Sequence, residues 1–336
     1  MQRSGATAGP ARRRVTPFVL AAALACAALA PPADVAQADG SAAARQAFVT
    51  NQTGDSLSIV DLAGAKAGPE IKIGGKPAGI ALSFDGRTAY LTSPESRELV
   101  AVDAESGKIT ARWPIGQGPL GIATHPTQPR VYVADWYEHR LFVVNGLTGA
   151  IEGRVEVGQS PSGVAVTADG KTILTADRDS NEVSIIDAAS LARVASVKVG
   201  ERPFGVTVDA DGKRAYTANV GSDDVSVIDL ETRKVVGTVK VGRRPYAVAL
   251  TGGRGFVTDQ YSASVTVFDV ATLAPVKTVE VGGYPEGIAA DPSGRAVYVA
   301  CWDEDRLDRI DTATLEVTAS IPVGGGPRAF GRFLRP

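Results

Sequence analysis

Short apolar and alternating runs separated by turn residues fill the chain from Ala47 to Pro336, and no stretch of it sustains a 3.6-residue apolar period. The stretch after Pro203 shows the plan: Phe204 to Val208 is apolar, Asp211-Gly212 turns, Ala215 to Ala218 follows, and Val225 to Ile228 and Val235 to Val241 alternate. Branched and aromatic side chains suit a pleated, packed surface, and Asp-Gly supplies the positive φ of a tight turn. The chain is therefore predicted to be all-β, with four strands in each such stretch.

The stretch recurs. A proline follows a Val/Ile-x-Val/Ile-Gly end at Pro77, Pro119, Pro161, Pro203, Pro245, Pro285 and Pro327, spaced 42, 42, 42, 42, 40 and 42. A second marker closes a β-rich run at Asp61, Asp103, Asn145, Asp187, Asp229, Asp269 and Asp311 with the same spacings. Two markers that share even the two-residue contraction mean one unit duplicated in tandem. Four strands in about 42 residues is the measure of one propeller blade, and radial stacking buries both faces of each blade. The expected architecture is a seven-bladed β-propeller over residues 47–336. The ordered chain begins at a second strand, Phe48 to Thr50, and a spare first strand, Ala329 to Phe333, remains at the C-terminus. That segment is expected to insert as the innermost strand of the blade begun by residues 47–73, closing the ring.

Four segments, Ala47-Phe48-Val49-Thr50-Asn51, Ala215-Tyr216-Thr217-Ala218-Asn219, Val225-Ser226-Val227-Ile228-Asp229 and Val239-Lys240-Val241-Gly242, resemble the bacterial YVTN-family propeller repeat. The resemblance implies the fold; the activities it implies range over binding platforms, subunits of periplasmic quinoprotein dehydrogenases and relatives of haem d1 domains. Such a fold hosts many chemistries, so function has to be argued from a site.

The segment ahead of the repeats changes where the protein is expected to work. Arg12, Arg13 and Arg14 precede an apolar run from Phe18 to Ala30, and Ala36-Gln37-Ala38 follows, the pattern of a secretory signal cleaved after Ala38. Residues 1–38 are thus assigned to a signal peptide and 39–46 to a linker, with a periplasmic or secreted product. A lipoprotein route through Cys26 is the rival, but Ala23-Leu24-Ala25 matches poorly the pattern that precedes a lipidated cysteine. The apolar run is too short to span a bilayer. Setting aside Arg3, Arg12, Arg13, Arg14 and Asp34 from 35 basic and 37 acidic side chains leaves 31 and 36, a net charge of −5. That balance gives no general affinity for nucleic acid, which needs a basic face. Cys301 is then the lone cysteine, so no internal disulfide is expected, and a monomer stabilised by blade packing is the expected state.

In a blade of this order the turns from second to third strand and the connections between blades share one face. The Asp-Gly corners occupy the other. The first face varies from blade to blade, as a binding surface on a rigid scaffold does. Its second-to-third turns carry Trp136, His139 and Arg140, then Arg178, Tyr261 and Trp302. Its blade-to-blade connections carry Arg202, Arg243, Arg244 and Tyr246, then Tyr284 and Glu286. Aromatic and arginine side chains are what recognition sites use, for contact area and forked donors. They are expected to bind an unknown small molecule, partly apolar and anionic, or a periplasmic protein; the plainer alternative is solvated loops whose aromatics shield blade edges.

One column ends the second strand: Asn51, Ser93, Asp135, Asp177, Asn219, Asp259 and Cys301. Short polar side chains there are expected to set the turn by bonding the following N–H groups. The rival role is a ring in which Asp135, Asp177 and Asp259 converge on Ca²⁺. Cys301 is expected to be a small half-buried residue rather than a nucleophile. Arg309 stands in a column otherwise held by Ile59, Ala101, Val143, Ile185, Val227 and Val267, so a carboxylate from a neighbouring strand or blade is expected to pair with it. His125 and His139 fall on opposite faces and cannot share a metal, so no zinc site is expected. Without a Cys-x-x-Cys-His there is no covalent haem. The leading expectation is a non-catalytic binding platform. The alternative is a periplasmic enzyme or redox accessory subunit, lactonase-like or quinoprotein-associated, using a bound cation or a quinone.

Overall fold

The computed structural model describes residues 8–9 and 42–336; the signal-like segment and most of the linker lie outside the described residues. Seven antiparallel sheets follow one another along residues 46–335. Six are complete four-stranded blades, the second containing Gly79–Leu82, Thr88–Ser93, Glu98–Asp103 and Ile109–Pro114, and the fifth Pro203–Val208, Arg214–Asn219, Asp224–Asp229 and Lys234–Lys240. The first blade starts at the second-strand position with Gln46–Asn51 and Ser56–Asp61, and its outer strand is split into Lys66–Ala67 and Ile71–Lys72. The split has a local cause. In the other six blades the third-to-fourth pairing slips by one residue at one column; in the first blade Gly68-Pro69 falls close to that column, and proline cannot donate to the ladder.

The C-terminal segment differs from the single inserted strand expected. Phe330–Arg332 runs parallel to Gly79–Leu82 of the second blade, and Leu334–Arg335 pairs antiparallel with Gln46 and Ala47 of the first. Between them the Phe48 N–H donates to the Phe333 carbonyl at 2.9 Å, and the Arg328 N–H to that of Thr50 at 2.8 Å. Gly331, at φ +129°, lets the chain lie against the second blade: a Cβ there would sit 2.3 Å from the Ile80 carbonyl oxygen. The last nine residues are thus shared between two blades.

Second and third strands are buried along nearly their whole length, whereas outer strands such as Ile109–Pro114 alternate between half-buried and exposed. Inner strands lie between two neighbouring blades, so the alternate residues of Val225-Ser226-Val227 face two protein surfaces and both are buried.

The tightest packing is at the axis. A glycine stands two residues after the marker proline in five blades, Gly79, Gly121, Gly163, Gly205 and Gly287. A Cβ on these would meet the carbonyl oxygen of the residue after the next blade's proline: Leu120 at 2.3 Å, Ser162 at 1.7 Å, Phe204 at 2.5 Å, Tyr246 at 2.6 Å and Arg328 at 2.2 Å. Blade meets blade there through bare backbone. Gly121→Ala is expected to destabilise the fold by about 2 kcal/mol or more in chemical denaturation, because only backbone could move to relieve the clash. Gly68→Ala, whose Cβ would meet only the Ile59 carbonyl at 3.5 Å, is expected to shift the midpoint little.

Candidate functional site

The variable face is built from loops held by side chains rather than by regular ladders. The turn-ending column is wholly buried in all seven blades, and it works with a second column seven residues later. Asp177 accepts from the Ser184 hydroxyl at 2.5 Å, Thr175 at 2.7 Å and the Gly158 N–H at 3.0 Å. Asp259 accepts from Thr266 and Ser264, while Asn51 and Asn219 bond Ser58 and Ser226. Only Asp135 caps the following turn as expected, taking the N–H groups of Tyr137 and Glu138 and also those of Gln117 and Gly118. At Asn51, Asp177, Asn219 and Asp259 the column ties the second strand to the third, while the Ser93 hydroxyl has no hydrogen-bond partner among the described residues. Asp135 and Asp177 are engaged by their own blade and by the connection leading into it, Asp259 keeps one oxygen without a hydrogen bond, and among the described residues no three His, Cys, Asp or Glu side chains are placed to hold a metal.

The seventh blade exchanges the two positions. Cys301 stands where Asp or Asn is usual and Asp308 where Ser or Thr is, and the thiol lies 3.5 Å from the carboxylate. Asp308 takes over the usual bond from the strand-four exit, accepting from the Gly282 N–H at 2.9 Å, and pairs with Arg306 at 2.9 Å. Cys301 is fully buried rather than half-buried; burial and the adjacent Asp308 push its thiol pKa up, so it is held as a thiol. Arg309 does not find the carboxylate expected of it. Its side chain is half-exposed and donates to Thr318 at 2.5 Å. Water and a hydroxyl meet the charge that an ion pair was expected to meet.

The column directly after the marker proline fills the axis at the variable face. Leu120, Phe204, Tyr246, Glu286 and Arg328 project there, joined by Phe330. Phe204 lies 4.2 Å from Tyr246 and 5.2 Å from Phe330 between ring centroids. Arg328 pairs with Glu286 at 2.6 Å, lies over the Tyr246 ring and donates to its hydroxyl; the Gln260 amide donates to Glu286 at 2.7 Å. Burial opposes the Arg328 charge, but Glu286 and Tyr246 more than offset it, so its pKa rises; burial raises that of the Tyr246 hydroxyl. Two of the expected ligand-binding residues, Tyr246 and Glu286, are thus components of a buried plug.

The others divide between loop anchors and a surface. His139 accepts the Ser160 N–H at 3.1 Å, tying its turn to the next blade-to-blade connection, and Arg140 pairs with Glu138 at 3.3 Å within its own turn. Arg178 lies over Trp136 at 5.4 Å, and Trp136 leans on Phe204 at 6.5 Å. Beyond the plug rim runs a ladder: Arg244 over Tyr261 at 4.8 Å, Tyr261 to Tyr284 at 5.4 Å, Tyr284 to Trp302 at 6.1 Å. Tyr261 is 45% exposed and Tyr284 39%. Arg202 and Arg243 stand exposed beside the ladder at one end, and Asp303, Glu304 and Asp305 at the other. Leu120 and Phe330 are plug members that the sequence reading missed, Phe330 because it lies outside the repeat columns.

Residues 135–333 match the model of the YncE-like β-propeller family, more than half of the chain. The chain belongs to that family. Membership agrees with the resemblance to the YVTN repeat, and the match begins beyond the irregular first blade. Among solved structures, hydrazine synthase from Kuenenia stuttgartiensis is 22% identical with a TM-score of 0.69, covering 75% of this chain and 88% of that one. A functionally unknown protein from Desulfotomaculum acetoxidans DSM 771 is 16% identical with a TM-score of 0.75, over 86% of this chain and 99% of that one. Dihydro-haem d1 dehydrogenase NirN in complex with DHE is 22% identical with a TM-score of 0.62, over 84% of this chain but 65% of its own. No curated protein sequence matches. With 1726 solved chains sharing it, the propeller architecture selects no activity.

Burial raises the pKa of Asp177 to about 6 and that of Asp259 to about 6, against the hydroxyl and N–H bonds that oppose it. An unfolded aspartate titrates near pH 4, so between about pH 4 and 6 the folded protein binds the extra proton. Stability therefore rises as pH falls through that window and is lowest, for these two groups, at neutral pH. Asn51 and Asn219 show that an amide fits the same place. Asp177→Asn is expected to raise unfolding stability at pH 7.5 by about 1–2 kcal/mol, a gain that shrinks towards zero by pH 4 in melts across pH.

Proposed function

We propose that the protein is a non-catalytic binding platform that docks a partner protein on its variable face. The observation that supports this most directly is the exposed ladder of Arg244, Tyr261, Tyr284 and Trp302, set between exposed arginines and exposed carboxylates. Large rigid aromatics with an arginine are the side chains that carry binding energy at protein interfaces. Their loops are fixed in advance: the Arg244 N–H is held by Asp223 and the Trp302 N–H by the Tyr284 carbonyl. Little ordering then has to be supplied on docking. The plug fills the axis on this side, which favours a partner lying across the face over a small molecule entering it. The two charge sectors favour a partner with the opposite polarity across its contact surface.

The reading includes export. The basic stretch, apolar run and Ala36-Gln37-Ala38 support cleavage near Ala38 and a periplasmic or secreted location. Among the described residues no helix is long and apolar enough to cross a membrane. The enzyme alternative draws on Asp135, Asp177 and Asp259; their hydrogen bonds to strand hydroxyls and to the blade-to-blade connections support a structural role for them instead. The likeness to hydrazine synthase and NirN, at 22% identity, carries the fold and not their chemistry.

A photo-reactive residue placed at Tyr284 in the source cells is expected to give a discrete protein adduct, reduced at least fivefold by Arg244→Glu or Trp302→Ala. The same residue at Leu147, 74% exposed on the Asp-Gly face, is expected to give none. Equal adducts at both positions, or adducts indifferent to both substitutions, would overturn the assignment of the face.

A further inference from the structure

Beneath the plug the axis is open. A cavity of about 530 Å³ is lined by the first strands of blades three to seven and by Phe330–Arg332, and it reaches the Asp-Gly face at Pro126, Ala168 and Ala210. Its volume is that of a small-molecule site. The wall is apolar in effect as well as composition. Thr124 and Thr207 present hydroxyls, but these donate across to the carbonyls of Leu82 and Val248, at 2.7 and 2.6 Å. Thr167 is turned to Asp169 at 2.7 Å.

Two charged residues line the cavity, Asp209 and Arg332. Asp209 is occupied at the mouth, accepting the N–H groups of Lys213 and Arg214 at 2.8 and 3.0 Å. Arg332 has no hydrogen bond or ion pair among the described residues. It is exposed to the solvent of the channel, in contrast to the largely buried Arg328, which has a carboxylate, a phenol and a ring. Arg332 is carried by the strand that Gly331 seats against the second blade, so its position is fixed by backbone pairing. Water inside the channel reaches it, yet the enclosing walls strip enough solvent to lower its pKa, with no anion to oppose that effect.

We propose that this channel binds an organic monoanion with an apolar body, its carboxylate on the Arg332 guanidinium and its body along the alanine and valine walls. A guanidinium among apolar walls lacks the forked acceptor that its geometry matches, and a carboxylate supplies one. The apolar body gains by displacing water from walls that offer it no free hydrogen bonds. A doubly charged or purely inorganic anion would leave the walls wet, and a cation would meet Arg332. The site lies on the opposite side of the plug from the aromatic ladder and does not depend on what that ladder binds.

Octanoate, 1-octanol, octylammonium and inorganic phosphate, titrated separately into the folded protein by calorimetry and followed by melting temperature, test this. Octanoate is expected to bind once per chain and raise the melting temperature, and octylammonium to do neither. Arg332→Gln is expected to weaken octanoate at least tenfold while leaving the unliganded melting temperature and any octanol binding unchanged, and Arg332→Lys to restore part of the loss. Octanoate binding unaltered in Arg332→Gln, or phosphate binding as tightly as octanoate, would overturn the proposal. So would the absence of octanoate binding.

Discussion

Everything in this molecule hangs on how closely seven strands can approach one axis. The glycine two residues after five of the seven marker prolines lets the next blade's carbonyl come to a distance that a Cβ would forbid, 1.7 Å at Gly121 and 2.2 Å at Gly287. The carbonyl that crosses is not left unpaired. The Thr92 hydroxyl donates to Leu120, Ser162 to Phe204, and Thr258 to Glu286. Close approach and a buried hydrogen bond are thus one interaction repeated around the ring, and a buried carbonyl without its donor would cost more than the contact returns. The proline ahead of each glycine fixes the chain's entry into this contact. Ala247 in the sixth blade and Ala329 after Pro327 hold the place of glycine, so two of the seven interfaces accommodate a methyl.

A second interaction controls the rim. The N–H at the exit of the fourth strand needs an acceptor, and the paired columns of Asn51 with Ser58, Asp177 with Ser184 and Asp308 with Cys301 supply it in different chemical forms. What is retained is an acceptor at one point in space. The carboxylate can sit on the second strand or seven residues later on the third, provided its neighbour changes too. Raised pKa values at Asp177 and Asp259 are the consequence of building this acceptor from a charge in a dry place, and need no catalytic reading.

The repeat made the blade count and the strand positions legible in the sequence, because both markers sit where backbone geometry leaves no choice. The Pro-x-Gly column was equally visible, and its meaning follows only once blades are known to meet there. What the sequence withheld depends on three-dimensional neighbours. Ser226 in Val225-Ser226-Val227 has the look of a solvent-facing alternation; it is buried because the blade is covered on both sides. Arg309 looked like a buried charge in an apolar column, yet its side chain is only half-buried and donates to Thr318. Tyr246 and Glu286 have the composition of a binding surface, and only the proximity of Arg328 and Phe330 shows that they satisfy one another. Arg332 falls in the last segment, outside any repeat column, so no comparison between blades could mark it as unusual.

The plug separates two environments that a bare propeller axis would join. On one side Phe204, Tyr246 and Phe330 present their outer edges to loops rich in arginine and aromatics; on the other, Phe330 forms the floor of an apolar channel holding one unpaired guanidinium. All seven units of the axis column could have carried a small residue and left a pore, as Ala78 and Ser162 do. Instead bulky residues are concentrated in adjacent blades, with Arg328 and Glu286 neutralising each other among them. An ion pair buried in that position gives weak net stability but fixes the orientation of Tyr246 and of the C-terminal segment that follows Arg328. The strand that carries Phe330 into the plug carries Arg332 into the channel two residues later. Whatever displaces one must move the other, so the same nine residues that pair with two blades also couple the floor of the channel to the underside of the binding face.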